Sequence, residues 1–380
     1  MIRKKILFLI ESFGGGGAEK ALLNYLSLID KERYEVTVCS ISDSGPYAAE
    51  ARQRAEHYRF VLPNPKKLRR VSRWIYSVRY HIIYYWLSPK YIYKTFIPSH
   101  HDVEIAFIEG FCTKILAAST NKRAKKLCWV HCNMLKHHWT DSIYRSHEAE
   151  LRAYQQYHHI ITVSEEAKEA FAEVFPDVSH LLRIIYNPIF LPSLDNYYLG
   201  NAVQAKSADH ILRIVTVGRL EPPKSIDRLL NAVQGLPVEL QIVGDGSLRD
   251  KLCNEIEALG EQTQVQMLGF LSNPYSVMAN ADLYVCSSLS EAYSSSVQEA
   301  VLLGIPVLTT DCAGMREILH NGAFGMIVEN TTVALREGLI AILQDKALLI
   351  RYKDALEEYL ACFHIPAEQL NTFYSLMDEC

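Results

Sequence analysis

The sequence predicts an α/β protein made of two doubly wound domains. The chain has 380 residues, and because single hydrophobic cores stop growing at roughly 250 to 300 residues, this length favours two cores. Short apolar runs alternate with stretches of helical period in both halves of the chain, which is typical of parallel sheets covered by helices on both faces. A polar segment with Pro, Gly and Asn, residues 191–210, separates the halves and is predicted to be a linker.

The first half supplies an N-terminal domain, predicted over residues 1–190. Its apolar runs are KKILFLI, YEVTVCSI, DVEIAFI, KKLCWVH and HHIITVS, with an amphipathic helix from Ala18 to Ile29 after the first of them. Basic residues before the first run suggest a signal peptide, but that run is too short, so we expect a buried first strand. No stretch reaches the roughly 18 apolar residues of a membrane-spanning helix. The sequence therefore predicts a cytoplasmic protein.

The C-terminal domain, predicted over residues 211–355, alternates more regularly. Its strands are predicted at LRIVTVG, VELQIVG, VQMLGF, ADLYVCS and PVLTT, with helices over residues 224–234, 247–259, 274–280 and 295–303. A doubly wound sheet of this kind binds its ligand at the carboxyl ends of its strands. Residues 356–380 have helical period and are predicted to form a C-terminal helical segment that crosses back to the N-terminal domain.

The composition excludes several classes of protein. With 49% hydrophobic residues, 22% charged residues and a net charge of −4, the chain is typical of globular proteins and lacks the basic excess of a nucleic-acid-binding protein. Nine cysteines occur without a CxxC pair, which argues against a disulfide framework or a structural zinc site.

Glycines and cations follow the predicted strands. Residues 14–17 are four glycines that lie between the first strand and a helix, where Gly15 and Gly16 would let the backbone approach an anionic ligand. In the second half, Gly218 and Arg219 end a strand and Lys224 begins the next helix. Two cations beside a helix N-terminus can bind a diphosphate. Gly244 opens another tight turn on the same edge.

The segment SLSEAYSSSVQEAVLLGIPVLTT carries two carboxylates at the same edge. Glu291 lies in the loop after a strand and Glu299 in the following helix, so both are expected to face the ligand and accept hydrogen bonds from sugar or ribose hydroxyls. Ser295 and Ser296 lie at the helix N-terminus, where hydroxyls and free amides suit a phosphate.

These segments, in the order GGGGAEK, VGRLEPPK, IVGDGSLRDKL, LGFLSNPYSVMANADLYVCSSLSEAYSSSVQEA and GMREIL, resemble the retaining glycosyltransferases of family 4, whose two Rossmann-like domains face a cleft (the GT-B fold). The resemblance covers nearly the whole chain and is closest to bacterial polysaccharide-cluster transferases. It implies a hexosyltransferase that moves a sugar from a UDP- or GDP-sugar to a growing polyprenyl-diphosphate-linked oligosaccharide. The pathway implied is biosynthesis of a cell-surface polysaccharide such as exopolysaccharide, capsule or O-antigen.

The resemblance also implies roles for individual residues. Arg219 and Lys224 would hold the donor diphosphate, Glu291 the transferred sugar and Glu299 the ribose, while His131 matches a histidine near the reaction centre. The predicted donor site comprises Gly15, Gly16, Gly218, Arg219, Lys224, Gly244, Ser295, Ser296 and Glu299; the predicted catalytic residues are Arg219, Lys224, Glu291 and His131. Ala292 and Ser294 stand where many members have glycine and proline, which leaves the sugar open. The chain has no Asp-x-Asp, so no metal or other cofactor is predicted.

A segment in the first half has an unusual balance of residue types. Residues 57–101 contain no Asp or Glu, nine basic residues from Arg59 to Lys94, and aromatic residues from Trp74 to Phe96. Such residues occur at bilayer interfaces, so this segment is predicted to attach the protein to the anionic inner face of the cell membrane. The alternative is that the aromatic residues pack into the first domain and the basic residues are merely solvated.

Two other functions remain open from sequence. A nucleotide-sugar epimerase would release a changed nucleotide sugar without an acceptor, and a non-catalytic subunit would bind the donor without turnover. An oxidoreductase is disfavoured because neither glycine turn fits the dinucleotide fingerprint.

Overall fold

The computed structural model describes residues 3–136, 138–191, 211–258, 263–362 and 367–378. Apart from Leu191, the predicted linker at residues 191–210 lies outside the described residues. The described residues form two compact units. The first contains the residues up to Phe190 and the helix at residues 367–378, and the second contains the residues from Leu191 to Cys362.

The first unit is built on a seven-stranded parallel sheet with the order β3-β2-β1-β4-β5-β6-β7. Ile6 to Ile10 of the first strand are fully buried, as expected for a central strand covered on both faces. The strands are β1 (Lys4–Ile10), β2 (Tyr34–Ser42), β3 (His57–Leu62), β4 (Val103–Ala106), β5 (Lys125–Val130), β6 (His159–Thr162) and β7 (Leu182–Ile184).

Helices cover both faces of this sheet, and serine begins several of them. Ser88, Ser146 and Ser164 each accept a hydrogen bond from a backbone amide in the first helical turn, which stabilises the helix start. The helices are α1 (Gly17–Leu28), α2 (Ala48–Arg54), α3 (Arg70–His81), α4 (Pro89–Phe96), α5 (Phe111–Ala117), α6 (His147–Tyr154) and α7 (Glu165–Val174), with a π turn at Ile82–Trp86.

The second unit has a six-stranded parallel sheet with the order β10-β9-β8-β11-β12-β13. Its strands are β8 (Leu212–Val217), β9 (Val238–Val243), β10 (Thr263–Gly269), β11 (Leu283–Cys286), β12 (Val307–Thr310) and β13 (Gly325–Val328). Its helices are α8 (Ile226–Val233), α9 (Arg249–Glu257), α10 (Tyr275–Ala279), α11 (Ser295–Leu302), α12 (Met315–Ile318), α13 (Thr332–Gln344) and α14 (Ala347–Cys362).

The structure differs from the sequence prediction at several elements. The helix predicted from residue 224 begins at Ile226, because Pro222–Lys224 forms a 3₁₀ turn and Ser225 has a φ of 45°. Helix α14 runs through the predicted domain boundary between residues 355 and 356. The strands β3, β7 and β13 were not predicted. All three lie at the edges of their sheets, where fewer side chains are buried and the apolar pattern is weaker.

The last described helix, α15 (Ala367–Asp378), belongs to the first unit. The Phe373 ring lies 5.0 Å from the Tyr25 ring and 5.7 Å from the Trp129 ring. At the helix end, the Lys4 ammonium donates to the Met377 carbonyl at 2.8 Å. One core therefore contains side chains from residues that are far apart in the sequence. No helix in the described ranges is both long enough and apolar enough to cross a membrane.

Candidate functional site

Glycine turns bring two loops together at the carboxyl edge of the second sheet. Beyond β8, the Gly218 amide donates to the Val243 carbonyl at 3.0 Å. A Cβ atom on Gly244 would lie 1.8 Å from the Gly218 carbonyl oxygen, a distance that no side chain tolerates. A Cβ atom on Gly246 would lie 2.5 Å from the Leu220 carbonyl oxygen. Glycine is therefore required here because the two loops touch through their backbones.

A glutamate between the two loops reinforces this contact. The carboxylate of Glu221 accepts hydrogen bonds from the Ser247 amide at 2.9 Å and from the Ser247 hydroxyl at 2.6 Å. These bonds, followed by the nearby charge of Arg219, lower the pKa of Glu221. Both carboxylate oxygens of Glu221 are thus engaged by Ser247.

Lys224 lies in the 3₁₀ turn and forms an ion pair with Glu291. The distance between the Lys224 Nζ and the Glu291 Oε1 is 2.5 Å, and the two side chains are only 23% and 12% exposed. Burial is the largest single influence and acts against the charge of Lys224, but the attraction of Glu291, the nearby Cys286 and the hydrogen bond to Glu291 together raise the pKa of Lys224. The lysine is therefore a fixed cation at neutral pH.

The loop that carries Glu291 is held in place by hydrogen bonds. The Ser287 hydroxyl donates to the Lys224 carbonyl at 3.0 Å, and the Ser288 hydroxyl donates to the Glu291 carboxylate at 2.6 Å. From β12, the Thr310 hydroxyl donates to the Ser288 carbonyl at 2.7 Å. Glu291 is thus preorganised. A small cavity adjoins the pair and is lined by Thr216, Val217, Gly218, Lys224, Ile226, Tyr284, Cys286, Ser287 and Ser288.

Arg219 adds a second cation at this edge. Its side chain is exposed. Its positive charge acts to lower the pKa of Lys224, against the causes that raise it, because the two cations lie near one another. Within the described part of the chain, the Arg219 guanidinium forms no hydrogen bond or ion pair. Its planar set of N–H donors is thus available to an anion from solvent.

The helix α11 carries the other predicted donor-site residues of this unit. Glu299 is 5% exposed and accepts a hydrogen bond from the Tyr275 hydroxyl at 3.1 Å. The N-cap residue Ser294 makes no side-chain capping bond; its hydroxyl lies 3.3 Å from that of Ser296. The hydroxyl of Ser295 is buried without a hydrogen-bond partner among the described residues. The helix start therefore keeps amides and a hydroxyl that suit an anion.

In the first unit, the glycine cluster lies at the carboxyl end of β1. Gly15 has a φ of 90°, which is the left-handed region that favours glycine, and Gly16 precedes α1 without a side-chain capping bond. The local backbone thus has the conformation expected for anion binding at a helix start. The approach of Gly15 and Gly16 to a donor stays a prediction.

His131 follows β5 and lies in a largely buried position. Its ring packs 5.1 Å from the Phe107 ring, and its backbone amide donates to the Glu109 carboxylate at 2.8 Å. Burial lowers the pKa of His131, although Glu109 and a hydrogen bond to the Phe107 backbone act in the opposite direction. Its Nε2 is buried and has no hydrogen-bond partner among the described residues. His131 thus presents a neutral imidazole with one unused nitrogen.

Two carboxylates at the carboxyl edge of the first sheet were missed by the sequence analysis. Glu11 follows β1 and accepts a hydrogen bond from the Tyr84 hydroxyl at 2.7 Å, and burial raises its pKa. Glu109 follows β4 and accepts bonds from the His131 amide and the Trp139 indole. β1, β4 and β5 are neighbours in the sheet. The sequence contained a signal for each acid. Glu11 directly follows the buried apolar run ILFLI, and Glu109 follows AFI and stands one glycine before a helix.

One group of side chains has the composition of a metal site. Ligand atoms of His138, Asp141 and Glu150 lie within 4.8 Å of one another. The same atoms already contact each other, since the two ring nitrogens of His138 lie 3.4 Å from Asp141 and 3.0 Å from Glu150. Glu150 also accepts a bond from the Thr140 hydroxyl at 2.6 Å. The polar atoms of these side chains are therefore already satisfied by their contacts with one another and with Thr140.

Comparison with known proteins shows the same two-part organisation. The model of Glycosyltransferase Family 4 matches residues 15–191, and that of Glycosyl transferases group 1 matches residues 204–359. N-acetylgalactosamine-N,N'-diacetylbacillosaminyl-diphospho-undecaprenol 4-alpha-N-acetylgalactosaminyltransferase of Campylobacter jejuni is 32% identical over 177 residues, which are 45% of this chain and 47% of that protein. An uncharacterized glycosyltransferase of Methanocaldococcus jannaschii is 28% identical over 59% of this chain and 57% of its own length. The chain thus spans about half the length of the curated relatives it matches.

A solved structure covers the full length of the chain. Anabaena HepE in complex with UDP and glucose superimposes with a TM-score of 0.73 and 18% identity over 100% of both chains. At this identity the likeness shows the fold, and that fold has two Rossmann-like domains. Together with the two family models, which match most of the sequence, it shows that this chain belongs to the GT-B glycosyltransferases of family 4.

Proposed function

We propose that this protein is a retaining glycosyltransferase of cell-surface polysaccharide biosynthesis that transfers a sugar from a nucleotide-sugar donor to a polyprenyl-diphosphate-linked acceptor. The observation that carries the proposal is the Lys224 and Glu291 pair with Arg219 beside it, at the carboxyl edge of the second sheet. The printed name of the Campylobacter relative includes a diphospho-undecaprenol carrier, and Anabaena HepE was crystallised with UDP and glucose. Both support the donor and acceptor classes.

The two cations are suited to hold the donor diphosphate. A lysine ammonium has three donors, so Lys224 can keep its bond to Glu291 and still donate to phosphate oxygens. Arg219 offers a planar guanidinium that matches a phosphate. Negative charge grows on the diphosphate as its bond to the sugar breaks, and fixed cations stabilise that charge without reorganisation. This is the role we assign to Arg219 and Lys224.

The carboxylates are suited to bind hydroxyls. Glu291 accepts from Lys224 and Ser288 through the same oxygen, Oε1, and its other oxygen can accept from a hydroxyl of the transferred sugar. Glu299 is held by Tyr275 and is proposed to accept from the ribose. The neutral His131 has an Nε2 that can accept a hydrogen bond from a sugar hydroxyl, because its other nitrogen is engaged with the Phe107 carbonyl.

We further propose that transfer needs no divalent metal. The sequence has no Asp-x-Asp motif, and Arg219 and Lys224 would neutralise the leaving diphosphate instead. A loss of all activity in the presence of a chelator, restored by Mn²⁺, contradicts this part of the proposal.

A ligand panel tests the donor. Binding to the native state raises the melting temperature by mass action, so the protein is heated with UDP- and GDP-sugars in turn. The expected result is a shift with one nucleotide series and a further shift with one sugar. A polyprenyl-diphosphate saccharide is then added, and the anomeric configuration of the product is compared with that of the donor. Inversion of the configuration contradicts a retaining mechanism.

The same assay separates the two rival functions. An epimerase converts the donor to another nucleotide sugar when no acceptor is present. A non-catalytic subunit shows the thermal shift but no product with any acceptor. The proposed transferase consumes donor in step with acceptor and leaves the sugar configuration of unused donor unchanged.

A further inference from the structure

The segment from α3 to α4 has two apolar faces. One face packs against the core of the first unit through Tyr76, Tyr80, Ile83, Tyr84 and Leu87. These positions recur every three or four residues, which is the period of one side of a helix. A helix needs only one such face to be anchored to a globular unit. The opposite face has no role in this packing.

The buried face is fixed by an aromatic stack. The Tyr84 ring lies 4.1 Å from the Phe111 ring and 4.2 Å from the Tyr80 ring. The Tyr84 hydroxyl donates to Glu11 at the end of β1. Because the stack and this hydrogen bond set the rotation of the segment, the opposite face cannot turn inward.

That opposite face presents large apolar side chains to solvent. Trp74 is 70% exposed, Tyr85 is 70% exposed and Trp86 is 81% exposed. Ile75, Val78 and Ile82 also lie exposed, and their spacing places them on the same side of the helix. Tyr91 of α4 is exposed as well. A row of large exposed apolar side chains on one side of a helix is typical of an interaction site.

Basic side chains flank these aromatic residues. Lys66, Lys67, Arg69, Arg79, Lys90 and Lys94 are all exposed, and none forms an ion pair among the described residues. The sequence has no acid from residue 57 to residue 101. A second copy of this surface would bring like charges together, which disfavours self-association. Tryptophan and tyrosine beside lysine and arginine instead suit the headgroup region of an anionic bilayer.

We propose that this aromatic-basic face, made by the exposed residues of α3, the π turn and α4 with the flanking lysines and arginines, docks on a membrane surface rich in anionic lipid. The aromatic rings would lie at the headgroup level and the basic residues would contact lipid phosphates. The inference deepens the proposed function and rests on it for one point only, namely that the membrane on which the protein docks also holds the lipid-linked acceptor.

Vesicle flotation of the full chain tests the proposal without any donor or acceptor. The vesicles are phosphatidylcholine, with or without about one-third phosphatidylglycerol. The protein is expected to float with the anionic vesicles at low salt, to be released at high salt because the charges are screened, and not to float with phosphatidylcholine alone. Each basic residue near the surface is worth about fivefold in partition, so Lys90→Gln with Lys94→Gln should lower partition about 25-fold. Tyr85→Ser with Trp86→Ser should lower it about tenfold or more.

Matched variants control for charge and for apolar area. Lys122→Gln with Arg123→Gln makes the same charge change at exposed positions before β5. Val333→Ser with Ile350→Ser removes exposed apolar side chains, 66% and 60% exposed, from the second unit. Both pairs should leave partition within about twofold of the parent. Melting curves of all four double variants should match the parent, because every changed side chain is exposed.

Three outcomes overturn the proposal. The first is a folded parent protein that stays unbound to anionic vesicles at low salt. The second is a loss of binding in the control pairs equal to that in the test pairs. The third is a dimer in lipid-free solution that the Trp86 variant abolishes, which would make the face a contact between copies. Failure of the proposed function looks different, since a protein without transferase activity would still float with anionic vesicles.

Discussion

The carboxyl edges of the two sheets have the same parallel layout but carry different charges. The edge of the second sheet has two cations, Arg219 and Lys224, and glycine turns that pack backbone on backbone. The edge of the first sheet has two carboxylates, Glu11 and Glu109, and a neutral histidine. The second edge thus combines its cations with the carboxylates Glu291 and Glu299, so it suits a diphosphate together with the hydroxyl groups beside it. The first edge, with its carboxylates and histidine, suits hydroxyl groups alone.

Removing Lys224 is expected to have the largest effect. Lys224→Ala should lower kcat/KM by about 10²- to 10³-fold, the usual cost of losing one fixed donor to a developing charge. Steady-state kinetics measure it, and a melting curve reports any destabilisation from the unpaired Glu291 carboxylate. The control is Lys251→Ala, an exposed lysine of the same unit that pairs with Asp227. A loss below threefold in a folded Lys224 variant would contradict the role of the cationic edge.

The tight turns of the second edge are tested by stability. Gly244→Ala places a Cβ atom against the Gly218 carbonyl, whereas a Cβ atom on Gly235 meets nothing within 4 Å although its φ is also positive, at 71°. Gly235→Ala should cost about 1 kcal/mol for the backbone conformation alone. Gly244→Ala should cost at least about 3 kcal/mol, because two backbones must separate. Urea unfolding measures both, and equal costs would mean that the loops do not touch.

Glu299 tests whether the buried carboxylate binds donor. Glu299→Gln keeps an acceptor for the Tyr275 hydroxyl but removes the charge, so donor Kd should rise about tenfold with little change in stability. Tyr275→Phe removes the hydrogen bond and keeps the carboxylate. Calorimetric titration with the donor identified by the ligand panel measures both variants. If the Tyr275 variant loses affinity and the Glu299 variant does not, Glu299 has a structural role only.

The smallest effect is expected at the first edge, in the pH dependence of stability. Burial is the largest cause that lowers the pKa of His131 below its ordinary 6.5, so the unfolded chain binds more protons between the two values. The free energy of unfolding should therefore fall as pH falls below about 6.5, by at most about 1.4 kcal/mol per pH unit for this group.

Comparing His131→Gln with the parent isolates the contribution of His131 to the pH dependence of stability. Burial also lowers the pKa of His101, and this residue contributes equally in both proteins. Urea unfolding at pH 7, 6 and 5 gives the free energy of unfolding at each pH. This free energy should change less steeply with pH in the variant than in the parent. The same pH dependence in both proteins would mean that burial does not lower the pKa of His131, so a neutral histidine would not distinguish the first edge from the second.

Strong local patterns made much of the second unit predictable. Central strands such as LRIVTVG and VELQIVG are largely buried and end in a glycine, so their apolar runs stand out. The clustering of Gly218, Lys224 and Glu291 followed from the rule that strand ends share one edge. The bond between Lys224 and Glu291 did not, because it joins residues 67 positions apart and depends on the exact path of two loops.

Other features depend on contacts that a linear pattern does not contain. The aromatic residues from Trp74 to Phe96 looked alike in sequence, yet the fold buries Tyr93 and exposes Trp86. The edge strands β3, β7 and β13 form because a neighbouring strand offers hydrogen-bonding groups, and their own residue pattern does not predict a strand. Glu11 and Glu109 were overlooked because a single acid after a strand is common, and only the sheet order brings the two together.

The placement of α15 has a consequence for how the polypeptide is made. Its Phe373 lies among Tyr25 and Trp129, so the N-terminal core cannot close until the ribosome has released residues 367–378. The second unit, whose described strands and helices lie between Leu212 and Cys362, does not include α15 and can fold first. A free chain truncated before residue 367 should therefore hold a folded second unit beside an open, chaperone-accessible first one.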